Sequence, residues 1–205
     1  MKSLKQREAA RGRDSRSADF TMRTNISEAD VTLRDGRVAH LRSVRPSDEG
    51  EVLQAFARID NAARYMRFMR SVREPNVQKL RKVLGSFPQA GQGIVATVPA
   101  SDGFDIAGSA VYLIDEDVSC EFAITVTPQY GSTGLGAALM TALISSARER
   151  GLATMIGYVL AINAPMLRLA RKMGFSVGRD PDDPSVRLCT LGLAQGGRAA
   201  PDGRV

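Results

Sequence analysis

Apolar and polar residues alternate along the first patterned part of the chain. The alternation over 31–44 surrounds Asp35-Gly36, a pair that favours a two-residue hairpin turn. Ser47 is followed by acidic residues and then by apolar residues at helical spacing, which predicts that Ser47 caps the start of a helix. Two further helices are predicted, near 62–69 and 76–84.

The pattern then changes to strands and afterwards mixes strands with helices. Three β-branched runs follow one another closely and predict an antiparallel meander at 93–98, 106–114 and 118–126. A 3.6-residue period follows from 134 to 151, and a strand, a helix and two strands complete the pattern at 154–160, 163–173, 175–177 and 185–193. This order predicts the α/β class, with a mixed sheet and helices on its faces.

Composition and charge indicate one folded domain between two polar ends. The chain has 205 residues and a net charge of +6, and no apolar run approaches the ~20 residues that cross a bilayer. Residues 1–23 hold seven basic and three acidic residues, so 1–27 is interpreted as a basic disordered tail. The Gly/Ala/Pro-rich end 195–205 is interpreted in the same way, which leaves 28–194 as the domain.

The few cysteine and histidine residues argue against several kinds of functional site. Cys120 and Cys189 cannot form a disulfide framework, and we interpret them as small buried apolar residues in a reducing cytoplasm. His40 is the only histidine, so neither a zinc cluster nor a histidine-dependent hydrolase is expected. No metal is therefore expected, and a cytoplasmic location is predicted.

A glycine-rich segment between a strand and a long helix is the first candidate site. Gly131, Gly134 and Gly136 fall where the strand ends and the helix begins. Backbone N–H groups of such a loop, together with a helix N-terminus, can hold a phosphate. The spacing matches neither a P-loop nor a dinucleotide-binding fingerprint. A plain tight turn is the alternative interpretation of this segment.

The glycine-rich segment and a second segment at 158–175 together resemble the GCN5-related N-acetyltransferases, known as GNAT. The second segment gives a strand, Asn163, a helix and Gly174-Phe175. The resemblance implies a mixed, mostly antiparallel sheet of six to seven strands with helices on both faces. It also implies acetyl-CoA as cosubstrate. The residues that it assigns to acetyl-CoA are Ile124, Thr125, Val126, Gly131, Ser132, Thr133, Gly134, Leu135, Gly136, Ala137 and Asn163.

Several segments are similar in amino-acid sequence to the acetyltransferase domain of bacterial Pat-type protein lysine acetyltransferases. These segments are 63–68, 120–126, 167–175 and 181–184. The similarity implies a protein lysine as acceptor, with Tyr65, Arg67 and Arg70 in the helical region that borders it. A helix with a mixed surface is the alternative interpretation of those three residues.

The sequence departs from the family pattern in two places, the glycine-rich loop and Ala170. Gly131 stands where the family usually has Gln or Arg, and Ser132 and Thr133 stand where Gly and a basic residue are frequent. A charge-assisted phosphate contact is therefore missing from the loop, and weaker cofactor binding is expected. Ala170 stands where many members have a Tyr that could protonate the leaving thiolate, but a thiol can leave as thiolate without strong assistance.

Glu121 is the candidate general base. On the predicted strand 118–126, Cys120, Phe122, Ile124 and Val126 share one face, and Glu121 lies on the other. A carboxylate in an apolar strand has a raised pKa and can accept a proton from an incoming ammonium, directly or through one water. The resemblance implies the same role for Glu121. The alternative is a strand glutamate that pairs with an arginine or faces water.

The sequence leaves three functions open. The first is acetyl transfer from acetyl-CoA to a protein lysine, and the second is acetyl transfer to a small amine. The third is a CoA-binding or interaction module whose altered loop no longer supports catalysis. No membrane partner is expected, and nucleic acid is disfavoured because no aromatic residue lies among the basic residues before Phe20. The oligomeric state stays open.

Overall fold

A computed structural model describes residues 26–101, 103–116 and 118–194. The predicted tails 1–27 and 195–205 therefore lie almost entirely outside the described residues. Within the described ranges no helix is long and apolar enough to cross a membrane. In chain order the elements are β1 (Ala29–Thr32), β2 (Val38–Ser43), α1 (Glu49–Ala57), α2 (Asn61–Phe68), α3 (Val77–Ser86), β3 (Gly91–Ala100), β4 (Gly103–Glu116), β5 (Ser119–Val126), α4 (Leu135–Glu149), β6 (Thr154–Leu160), α5 (Ala164–Lys172), β7 (Ser176–Arg179) and β8 (Val186–Gly192).

All strands join one sheet in the order β1-β2-β3-β4-β5-β6-β8-β7. Every neighbouring pair is antiparallel except β5 and β6, which are parallel. The predicted class and the mostly antiparallel mixed sheet are therefore confirmed. The described sheet has eight strands rather than six or seven, because both arms of the first hairpin pair as separate strands.

Helices cover both faces of the sheet. The larger core lies between the sheet and the helices α4 and α5, and it contains Cys120, Phe122, Leu139 and Leu167. A smaller cluster under α1 contains Val95 and Ile106 on the opposite face. On β3, Val95 belongs to the smaller cluster while its neighbours Ile94 and Ala96 belong to the larger core, as the two-residue repeat of a strand requires.

Helix ends follow the predicted caps at one helix and depart from them at another. The Asn163 side chain accepts a hydrogen bond from the N–H of Met166 at 3.2 Å, and Gly174 adopts φ +89° just after α5. The prediction that Ser47 caps a helix is wrong. Ser47 lies inside a short 3-10 turn, and the buried Asp48 precedes α1 instead. Asp48 is held there by Arg42, a contact that local sequence patterns do not encode.

The parallel strands β5 and β6 separate after only three paired positions. The register ends at Glu121 with Ile156, although both strands continue beyond it. The ring of Phe122 lies over Gly157 on β6, where an added Cβ would come within 2.3 Å of the ring. The absence of a side chain at Gly157 therefore makes room for Phe122 at the point where the strands diverge.

Candidate active site

A cleft of about 610 Å³ opens where β5 and β6 diverge. Residues of β5 from Glu121 to Val126, the loop before α4, the end of β6 and the start of α5 all line this cleft. The cleft therefore contains most of the residues that the sequence predicted for the site. The predicted residues that line it are Glu121, Ile124, Thr125, Val126, Gly131, Ser132, Gly134, Gly136, Ala137 and Asn163.

The loop before α4 presents backbone donors to the cleft. Ser132 adopts φ +61° and Gly134 adopts φ +95°, a left-handed conformation that is costly for most residues other than glycine. Within the described residues, the N–H groups of Ser132, Gly134 and Gly136 have no acceptor. Free N–H groups at a helix N-terminus form a site suited to an anion.

Four predicted residues of this loop use their polar groups internally. The Thr133 hydroxyl donates to the Tyr130 carbonyl at 2.7 Å and accepts from the N–H of Leu135, whose side chain is fully buried in the core. Neither Thr133 nor Leu135 lines the cleft. The N–H groups of Gly131 and Ala137 donate to carbonyls within the loop. The donors available to a ligand are thus fewer than the sequence predicted.

The open edge of β5 faces the other wall of the cleft. Ile124, Thr125 and Val126 pair with β4 on one side, and the β5–β6 register ends before them on the other. An extended ligand could therefore pair with this edge by backbone hydrogen bonds. Asn163 caps α5 through its side-chain oxygen and also lines the cleft, so its two predicted roles are compatible.

Glu121 points away from the larger core, as the predicted alternation along β5 requires. It is partly buried and lines the cleft on the side of α2. Burial raises the pKa of the Glu121 carboxyl, and the charge of Asp115 raises it further, while Arg67 and Lys79 lower it. Within the described residues these effects come from burial and from nearby charges, and no hydrogen bond or ion pair holds this carboxylate. The group is therefore available to accept a proton from a molecule in the cleft.

Arg67 on α2 accompanies Glu121 in the wall of the cleft. Desolvation lowers the pKa of its guanidinium, and the charge of Glu121 partly opposes that effect. Tyr65 and Arg70, which the sequence grouped with Arg67, do not line the cleft. His40 does not line the cleft either, and its Nδ1 lies 2.7 Å from an Asp30 carboxylate oxygen across the first hairpin.

The sequence missed a contact between the first hairpin and the loop. The N–H of Arg34 donates to the Thr133 carbonyl at 2.9 Å, and the Arg34 Nη1 donates to the Ser132 carbonyl at 3.4 Å. Arg37 stacks over the Tyr130 ring at 3.9 Å. These partners lie nearly one hundred positions apart, so no local pattern could indicate the contact.

Arg168 and Lys172 were also missed, and both line the cleft from α5. A four-residue separation places two side chains on one face of a helix. This spacing was readable in the sequence, but the direction of that face depends on how α5 packs on the sheet. The described cleft is therefore more basic than the loop sequence alone indicates.

Comparison with known proteins decides the family. The family model described as Acetyltransferase (GNAT) domain matches residues 39–176. The chain belongs to the GNAT acetyltransferase family. A curated relative, Acetyltransferase PA5475 of Pseudomonas aeruginosa, is 31% identical over 163 residues, which cover 79% of this chain and 88% of the relative. This GNAT protein is thus an acyltransferase, and the predicted family is confirmed.

Solved structures share the fold of this GNAT protein. The GNAT domain of S. lividans PAT has a TM-score of 0.74 at 21% identity, covering 80% of this chain and 96% of that one. The yncA protein of Salmonella typhimurium, solved with its cofactor acetyl-CoA, has a TM-score of 0.58 at 21% identity, covering 81% and 99%. A cAMP-binding acyltransferase from Mycobacterium smegmatis has a TM-score of 0.58 at 25% identity, covering 83% and 48%.

Proposed function

We propose that this GNAT protein transfers an acetyl group from acetyl-CoA to a primary amine, with Glu121 as general base. One observation carries the proposal: a single cleft joins the N-terminus of α4 to the partly buried Glu121 carboxylate. Among the described residues, the N–H groups of Ser132, Gly134 and Gly136 at that N-terminus have no acceptor, and the carboxylate has no hydrogen bond or ion pair. The N–H groups of Ser132, Gly134 and Gly136 suit the phosphates of acetyl-CoA. The open edge of β5 suits its extended amide-containing arm.

The chemistry requires direct attack of a neutral amine on the thioester carbon. A lysine ammonium has a pKa of ~10.4, so it must lose a proton before it can attack. The raised pKa of Glu121 makes its carboxylate a better acceptor for that proton than an exposed glutamate. The C–S bond then breaks, and the CoA sulfur leaves as thiolate. Ala170 is fully buried in the core and supplies no acid, so the thiolate departs without help from that position.

A protein lysine is the proposed acceptor. Residues 61–86, which contain α2 and α3, hold seven basic residues and one acidic residue. A small cationic amine would be repelled by this charge, whereas acidic residues around a lysine on another protein would be attracted. Action in the cytoplasm is part of this proposal.

The substitution Glu121→Gln tests the role of the base. We expect kcat to fall at least tenfold, while the Kd for acetyl-CoA from titration calorimetry stays within about twofold, because the amide cannot accept the proton. The wild-type rate should rise with pH through the raised pKa of Glu121, and this dependence should disappear in the variant. A raised pKa means that the ionised Glu121 carboxylate is less stable in the folded chain than in the unfolded chain, so it destabilises the fold at neutral pH. The variant removes this charge, and its melting temperature should therefore not fall.

Two results would count against the proposal. An unchanged kcat in Glu121→Gln would refute Glu121 as the base. Tight binding of acetyl-CoA with no turnover on a panel of lysine-containing proteins, polyamines and amino acids would favour the non-catalytic alternative. Turnover on the polyamines or amino acids alone would show that the acceptor is a small amine rather than a protein lysine.

A further inference from the structure

The β1–β2 hairpin places Arg34 directly against the loop before α4. Besides its two contacts with the Thr133 and Ser132 carbonyls, the Arg34 side chain runs along Gly134. A Cβ built on Gly134 would lie 3.7 Å from both Cγ and Nε of Arg34. Arg34 is exposed and lines the cleft beside the free N–H groups. Its guanidinium has five N–H donors, so one bond to Ser132 leaves others for a ligand.

The two arginines near the turn of this hairpin, Arg34 and Arg37, have different partners. Arg37 is committed to protein partners: it pairs with Asp35 at 2.6 Å and donates to the Gln129 carbonyl at 2.8 Å. Arg34 has no carboxylate partner among the described residues. Arg37 therefore fixes the hairpin on the loop, and Arg34 carries an uncompensated charge at the N-terminus of α4.

The loop itself supplies no charged side chain. Residues 131–137 are Gly, Ser, Thr, Gly, Leu, Gly and Ala, so only neutral N–H groups and hydroxyls are available there. Hydrogen bonds between a guanidinium and a phosphate are about twice as strong as those between neutral groups. A cation from outside the loop would thus add substantially to phosphate binding at this position.

We propose that Arg34 binds a phosphate group of the acyl-CoA donor and replaces the basic side chain that the loop lacks. This inference rests on the proposed use of acetyl-CoA. It makes the β1–β2 hairpin part of the donor site, although the hairpin lies far from the loop in sequence. The expectation of weak donor binding, drawn from the loop alone, is then reversed by a residue from another element.

The test measures binding of two donors by titration calorimetry. Acetyl-CoA carries the phosphates, whereas S-acetyl-pantetheine has the same thioester and arm without them. Arg34→Gln should weaken acetyl-CoA binding about tenfold or more and leave S-acetyl-pantetheine binding unchanged. Arg34→Lys should recover part of the loss. Arg179→Gln is the matched control, because Arg179 is exposed on β7 and does not line the cleft.

The possible results distinguish a failure of the inference about Arg34 from a failure of the proposed function. Equal acetyl-CoA affinity in wild type and Arg34→Gln would overturn the inference and leave the proposed function standing. A loss of affinity for both donors would also overturn it, since it would indicate a disturbed loop rather than a lost phosphate contact. A wild-type protein that binds neither donor would overturn the proposed function and the inference together. The N–H of Arg34 is kept in every variant, so the hairpin contact with Thr133 remains.

Discussion

At the scale of single residues, two carboxylates with little exposure to solvent have opposite environments. Burial alone would raise the pKa of Asp48, but hydrogen bonds from Arg42 and from the N–H of Arg45 hold it below its usual value. Burial also acts on Glu121, and there the charge of Arg67 is too weak to reverse the rise in pKa. Asp48 therefore stays ionised and stabilises the fold, whereas the Glu121 carboxylate binds a proton more readily than an exposed glutamate does.

Replacing Asp48 should show how much the buried ion pair matters. The Arg42 and Asp48 side chains are 8% and 4% exposed and form two bonds of 2.7 and 2.9 Å. Asp48→Asn leaves the Arg42 charge buried without its counter-charge, so we expect the free energy of unfolding in urea to fall by about 3–5 kcal/mol. Glu49→Gln breaks the exposed pair with Arg81 and should cost at most about 1 kcal/mol. Similar losses in both variants would contradict this view.

At the scale of elements, the divergence of β5 and β6 depends on a missing side chain. An added Cβ on Gly157 would lie 2.3 Å from Cε1 of Phe122, and the Phe122 ring packs at 5.1 Å from the Phe175 ring. Gly157→Ala should therefore reduce the free energy of unfolding in urea by about 1–3 kcal/mol, because the ring must leave its packed position. Gly178→Ala on β7 meets nothing within 4 Å and serves as control. A loss no larger than in the control would show that Phe122 can move freely.

Elements were predictable wherever local chemistry determines them. The caps and stops of α5 and the alternating faces of β5 follow from neighbouring residues, and the structure has each of them. The hairpin lies at Asp35-Gly36 as predicted, but the predicted two-residue turn is wrong. Thr32 pairs with Val38 and the Leu33 N–H donates to the Arg37 carbonyl, so the loop has three residues and ends on Gly36 at φ +83°. The 3-10 turn at Ser47, the contact of Phe122 with Gly157 and the position of Arg34 on the loop were not predictable. The last two depend on partners from distant segments, which only the assembled sheet brings together. The turn depends on the buried pair of Arg42 with Asp48, six positions apart, whose burial is set by the packing of the sheet.

At the scale of the whole molecule, the two sides of the sheet differ in packing. The loop before α4 leads into a helix with six buried residues, whereas α2 has none and only Leu84 of α3 is buried. The α2–α3 side also carries the basic residues proposed to meet the acceptor. The α4 side is therefore tightly packed, and the α2–α3 side is held by few buried apolar residues.

Native-state hydrogen exchange should resolve these two sides. We expect the amides of α2 and α3 to exchange through local opening, well before those in the middle of α4, which require global unfolding. Acetyl-CoA should slow exchange at 131–137 because its phosphates would occupy the free N–H groups there, and it should change α3 little. When a lysine-containing protein substrate is added to the acetyl-CoA-saturated protein, exchange in α2 and α3 should become slower, because the substrate would cover these helices. Exchange in α2 as slow as in α4 would contradict the difference in packing, and unchanged exchange at 131–137 would contradict the donor site itself.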